Sequence, residues 1–88
     1  MSELTIRQAI ISALVSKGAW VVTTTGVSAA GTPDLLACYK GKFIALEVKD
    51  KHGRPTRLQV YTLKTIEDAG GTARLVRSVK EAIECLTT

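Results

Sequence analysis

Residues 31–49 run GTPDLLACYKGKFIALEVK. Two apolar runs flank Tyr39-Lys40-Gly41-Lys42, a pattern of two strands joined by a tight turn. The simplest turn is Lys40-Gly41, because Gly accepts the positive φ that two-residue hairpin loops require. Tyr39 then faces Lys42, and counting back along both strands sets Asp34 opposite Glu47. Opposed residues of an antiparallel pair hold their Cβ atoms about 4.5–5.5 Å apart on one face. Lys49, two residues beyond Glu47, shares that face. A turn at Gly41-Lys42 sets Asp34 opposite Lys49 instead, with all three side chains still on one face. A three-residue loop turns Asp34 to the other side.

Two carboxylates so placed repel by about 3 kcal/mol at an effective dielectric of 20. A hard divalent cation reverses that, since Mg²⁺ takes oxygen ligands. The ammonium of Lys49 beside the pair suits a phosphate or a water. Asp34, Glu47 and Lys49 therefore have the layout of a metal-dependent phosphodiester-cleaving site. The plainer reading is a strand start after Pro33 with a surface charge ladder at Glu47 and Lys49. The combination across a hairpin favours the site.

These residues carry a family resemblance. Pro33-Asp34 followed by Glu47-Val48-Lys49 resembles the PD-(D/E)XK nuclease superfamily. The wider set looks like its VRR-NUC branch: Gly31 to Leu36, Gly41 to Lys49, Gln59, Ala69-Gly70-Gly71 and Val76-Arg77-Ser78-Val79. The likeness runs from Glu3 to about Ala82, so residues 1–88 are expected to form a single VRR-NUC-like nuclease domain. The resemblance implies Asp34, Glu47 and the Val48 carbonyl as ligands of Mg²⁺ or Mn²⁺, with Lys49 and Gln59 completing the catalytic set. It also sets an acidic residue at the start of the first helix. Glu3 occupies that position, as a metal ligand or a contact to a water on the metal. Stand-alone members are similar to Holliday-junction resolvases, which act as dimers. A homodimer cutting junction or branched DNA is the implied activity, in the cytoplasm of a bacterial or phage-infected cell.

With 88 residues the chain makes one domain. Hydrophobic residues are 45%, enough for a core. No apolar run nears the ~18 residues of a membrane span, and no signal-peptide pattern opens the chain. A net charge of +4 suits a polyanionic partner such as DNA. Cys38 and Cys85 match no zinc spacing and read as buried small residues.

Glu3 to about Lys17 reads as a helix with Ile6, Ala9, Ile10, Ala13 and Leu14 on one stripe, capped by Ser2 and stopped by Gly18. Arg7, one turn in, is placed to meet a phosphate. Ala19 to about Thr25 is a strand rich in β-formers, with Trp20 expected in the core. Gly26 to Thr32 is a loop leading to the site, of a kind that can order when DNA binds. In the hairpin Leu36, Cys38, Phe43 and Ala45 share one face, and Leu35, Ala37, Ile44, Leu46 and Val48 the other. A sheet apolar on both faces is expected to be covered on both.

Asp50 to Pro55 is a loop whose Lys51 and Arg54 add positive charge beside the site; His52 has nothing to orient it. Thr56 to about Ala69 is the second helix, with Leu58, Tyr61, Leu63 and Ile66 as its apolar positions. Thr56 and Gln59 form a capping box. Arg57 opposes the helix dipole there, which suits a docked anion and makes it a DNA contact. Gly70-Gly71 ends this helix. Thr72 to Val76 is the last strand, and Ser78 caps a helix through Leu86. The expected fold is α/β and restriction-endonuclease-like. Its order is α-β-β-β-α-β-α, with a mixed central sheet flanked by helices. A non-catalytic DNA-binding subunit keeping this fold is the alternative function, and a small structural protein with incidental charges is a third.

Overall fold

The protein is described by a computed structural model covering residues 1–26 and 29–88. Val27 and Ser28, within the loop expected over Gly26 to Thr32, lie outside the described residues. Ser2 caps α1 (Glu3–Ser16) by accepting from the Thr5 N–H, and the chain leaves the helix at Gly18 with φ 98°. Next come β1 (Trp20–Thr23), β2 (Leu35–Tyr39) and β3 (Lys42–Val48). They are followed by α2 (Arg57–Asp68), β4 (Thr72–Val76), α3 (Val79–Glu84) and a 3₁₀ turn at Cys85–Thr87. The α-β-β-β-α-β-α order is the one read from the sequence.

The described residues form a four-stranded sheet in the order β1-β2-β3-β4. The first three strands are antiparallel and β4 lies parallel to β3. The long connection through α2 is what a parallel neighbour needs. The β2–β3 turn is Lys40-Gly41, with φ 48° and 82°. Positive φ at both central residues is the type I′ geometry that matches strand twist. Tyr39 pairs with Lys42 and Leu35 with Leu46. One step further sets Asp34 opposite Glu47, the first of the registers considered.

One face of the sheet packs on α1 and α3. Ile6, Ile10 and Leu14 meet Leu35, Ala37, Ile44, Leu46, Val48 and Val76, with Ala82, Cys85 and Leu86 closing the layer. The other face is only half covered, because α2 packs mainly on β4 and β3. Three expectations fail here for that one reason. Trp20 is 64% exposed rather than core, and Phe43 is 48% exposed. Cys38, aligned with both across the strands, is exposed rather than buried. The half-buried positions of α2 are Gln59, Thr62, Leu63, Ile66 and Glu67, while Leu58 and Tyr61 of the expected stripe stand exposed. At the last helix Ser78 accepts from the Glu81 N–H, while Glu81 Oε1 takes the Arg77 N–H at 2.6 Å.

Candidate active site

The hairpin register, a proline and a helix cap build this site. Asp34 follows Pro33 at the entry to β2. Its Oδ2 accepts the backbone N–H of Val48 at 2.8 Å, which ties the side chain to β3. The register sets Val48 opposite Pro33, and proline has no N–H to give. The ladder bond that would occupy the Val48 carbonyl therefore cannot form. Both the Asp34 carboxylate and this carbonyl are left at one end of the sheet.

Glu47 is 2% exposed. Its Oε2 accepts from Gln59 Nε2 at 3.2 Å and lies 3.4 Å from Lys49 Nζ. Its Oε1 is buried with no hydrogen-bond partner. Burial, and next the Asp34 charge, push the Glu47 carboxyl up to about 7, against the downward pull of Lys49. Lys49 follows β3 directly, with its side chain 14% exposed and its N–H given to Val76 O at 3.1 Å.

Gln59 serves two structures at once. Its Oε1 accepts the Thr56 N–H at 2.9 Å, completing the capping box, while Nε2 reaches Glu47. The amide orientation follows from those two bonds. The first turn of α2 is thus joined to the acidic end of β3.

A solved structure titled "VRR_NUC domain" aligns with this chain at a TM-score of 0.77. The match covers 97% of this chain and 94% of that one, with 22% sequence identity. This chain has the fold of that VRR_NUC domain. No family model matches the sequence, and no curated protein matches it.

On that fold Asp34, Glu47, Lys49 and Gln59 come together, with the Val48 carbonyl beside them. Glu3 does not join them. It stands in the first turn of α1, and no group of three or more His, Cys, Asp or Glu that could hold a metal forms among the described residues. The donor set is therefore two carboxylates and a carbonyl, all hard oxygens. A buried carboxylate oxygen without a partner beside a second carboxylate fits Mg²⁺ or Mn²⁺, which fill their remaining positions with water.

Among the described residues, no hydrogen bond or ion pair joins Arg7, Lys51, Arg54 or Arg57 to this cluster. Arg7 is half-buried on α1, and Lys51, Arg54 and Arg57 are exposed. Lys51 lines an apolar hollow with Met1, Ile6, Arg77, Ser78 and Val79. Two residues gained no role from the sequence. Asp50 Oδ1 accepts from the N–H groups of His52 at 2.9 Å and Gly53 at 2.7 Å. Arg77 Nη1 donates to Asp50 O and Gly53 O. The Asp-x-x-Gly spacing signals the first; no local pattern signals the second.

Proposed function

We propose that this chain is a metal-dependent endonuclease that hydrolyses DNA phosphodiester bonds, acting on junction or branched DNA as a homodimer. The observation that carries the reading is Glu47 Oε1, buried without a partner and set against Asp34. A folded protein rarely keeps such an atom without a use. The name of the structural neighbour, a VRR_NUC domain, points the same way.

Asp34, Glu47 and the Val48 carbonyl hold Mg²⁺ or Mn²⁺ in this reading. The ion supplies Lewis acidity at the phosphate and lowers the pKa of a bound water. Gln59 keeps Glu47 Oε2 engaged and leaves Oε1 for the ion. Lys49, 3.4 Å from Glu47, presents its ammonium where it orients the attacking water or offsets charge on the phosphate. Arg7, Lys51, Arg54 and Arg57 meet DNA phosphates, positioning the duplex without reading bases.

The homodimer draws on the half-covered sheet face. Trp20, Cys38 and Phe43 form an exposed, uncharged row on that face, with Cys38 and Phe43 four residues along their strands from Asp34 and Glu47. Phosphates bind where cations are, so a second copy of the chain suits this uncharged row, while DNA suits the Asp34, Glu47 and Lys49 end of the same face. Aromatic residues without charge are the makings of an interface core.

The test is cleavage of plasmid and four-way-junction DNA with Mg²⁺, with Mn²⁺ and with EDTA. Metal-dependent cutting is expected, lost in Asp34→Asn and cut by about 10²-fold or more in Lys49→Ala. Salt-dependent DNA binding with no cleavage in either metal would instead assign a non-catalytic DNA-binding subunit.

A further inference from the structure

The turn after β3 is held by an arginine from outside it. Asp50 closes the turn from within through the His52 and Gly53 N–H groups, and those two bonds hold its carboxyl below the usual range. Arg77, the residue after β4, reaches across. Its Nη1 donates to Asp50 O at 2.6 Å and to Gly53 O at 2.7 Å, so one nitrogen ties both ends of the turn. The backbone of Arg77 is fixed in its own right, since its N–H goes to Glu81 Oε1.

What the turn rests on is Lys49. A Cβ at Gly53 would stand 3.3 Å from both Lys49 Cβ and Cδ. That is tighter than ordinary contact, so the bare backbone of Gly53 lies along the lysine stem. The side chain has four rotatable bonds and would otherwise sweep a wide arc. Here it is 14% exposed and ends 3.4 Å from Glu47.

We infer that Arg77 is a positioning residue: it clamps the 50–53 turn over the stem of Lys49 and so holds the ammonium at Glu47. Its effect on cleavage rests on the nuclease reading above, but the placement of Lys49 does not. An amine whose stem is released reacts faster with an acylating reagent, whatever the protein does to DNA.

The experiment is lysine acetylation of the full chain by acetic anhydride, followed by peptide mass spectrometry. Lys64, whose side chain is 72% exposed, serves as the internal reference. In the wild-type protein Lys49 labels slowly relative to Lys64. Arg77→Ala is expected to raise the Lys49 rate by about tenfold with Lys64 unchanged, the signature of a local opening. Arg77→Lys, which keeps the charge but has no planar fork, falls between the two. Ile10→Val removes a core methylene far from the turn and controls for general loosening. If Ile10→Val releases Lys49 as much as Arg77→Ala at equal loss of Tm, the clamp is refuted. It is equally refuted if Lys49 stays protected in Arg77→Ala. Should Arg77→Ala not fold, Arg77→Lys and Arg77→Gln are read by the same criterion.

If the protein cleaves DNA, Arg77→Ala lowers kcat by about 10²-fold at nearly constant KM, as for a misplaced catalytic group. In a Lys49→Ala background the same change has no further effect on cleavage. If no variant cleaves anything, the labelling still decides the clamp, and only the nuclease reading falls.

Discussion

At Glu47 two unfavourable terms act together, and the fold tolerates both. Burial and the neighbouring Asp34 raise its carboxyl to about 7 from an ordinary 4.5. Such a group binds a proton more tightly folded than unfolded. Its contribution to stability is fully present below pH 4.5 and is lost as pH rises through 7. In EDTA, Tm is therefore expected to fall between pH 5 and pH 8, by an amount worth at most about 3 kcal/mol. Glu47→Gln should flatten that slope, since an amide does not titrate. Mg²⁺ or Mn²⁺ should restore the lost stability at pH 8 by binding the folded state. A Tm profile unchanged by Glu47→Gln would show that the carboxyl titrates normally. Asp34, Glu47 and Lys49 were legible in the sequence because a hairpin register is simple counting. The bond from Gln59 to Glu47 was not, because it depends on where α2 docks, and a capping box already accounts for glutamine there.

Among the elements, the hairpin carries the most information. Its turn residues, its register and the face shared by the acidic residues all follow from Lys40-Gly41. Gly41 has φ 82°, and nothing stands within 4 Å of where its Cβ would be. Gly41→Ala thus meets no clash in space and isolates the backbone cost, about 1–2 kcal/mol. Urea denaturation should show that loss with an unchanged m-value. Lys40 also sits at positive φ, 48°. Lys40→Asn should therefore stabilise by up to about 1 kcal/mol, since Asn tolerates that region. An equal effect of zero for both variants would mean that the turn is not type I′ in solution. Helix α2 was legible in its caps and misread in its stripe. Leu58 and Tyr61 look like core positions beside Leu63 and Ile66. The helix turns instead to bring Gln59, Leu63 and Ile66 inward, with Glu67 paired to Arg74 on β4.

For the whole molecule, the uneven cover of the sheet links fold to assembly. A mixed sheet flanked by helices was readable, since a helical crossover favours a parallel last strand; which strand it would join was not. How far α2 extends over the sheet was not, because apolar residues read alike whether a helix or a partner covers them. Trp20 is the case in point. It pairs across β1 and β2 with Cys38, and Cys38 with Phe43, in one uncharged row. Trp20 and Phe43 leave on the order of 200 Å² of ring surface outside, about a quarter of the ~800 Å² that one partner buries in a standard interface. Patches of that kind mark association sites. Trp20→Glu should therefore turn a dimer into a monomer by light scattering while leaving Tm within a few degrees, because the ring is 64% exposed in the isolated chain. Burying a charge at each copy of a symmetric contact counts twice, since the same residue returns on the partner. The monomer would keep its own Asp34, Glu47 and Lys49, so it should still nick one strand while losing paired cuts across a junction. A wild-type protein that is monomeric at micromolar concentration would remove the two-fold reading and leave a nicking enzyme. A Trp20→Glu dimer would place the contact elsewhere, on the exposed sides of α1 or α2, where Leu4, Val15, Val60 and Tyr61 also stand out.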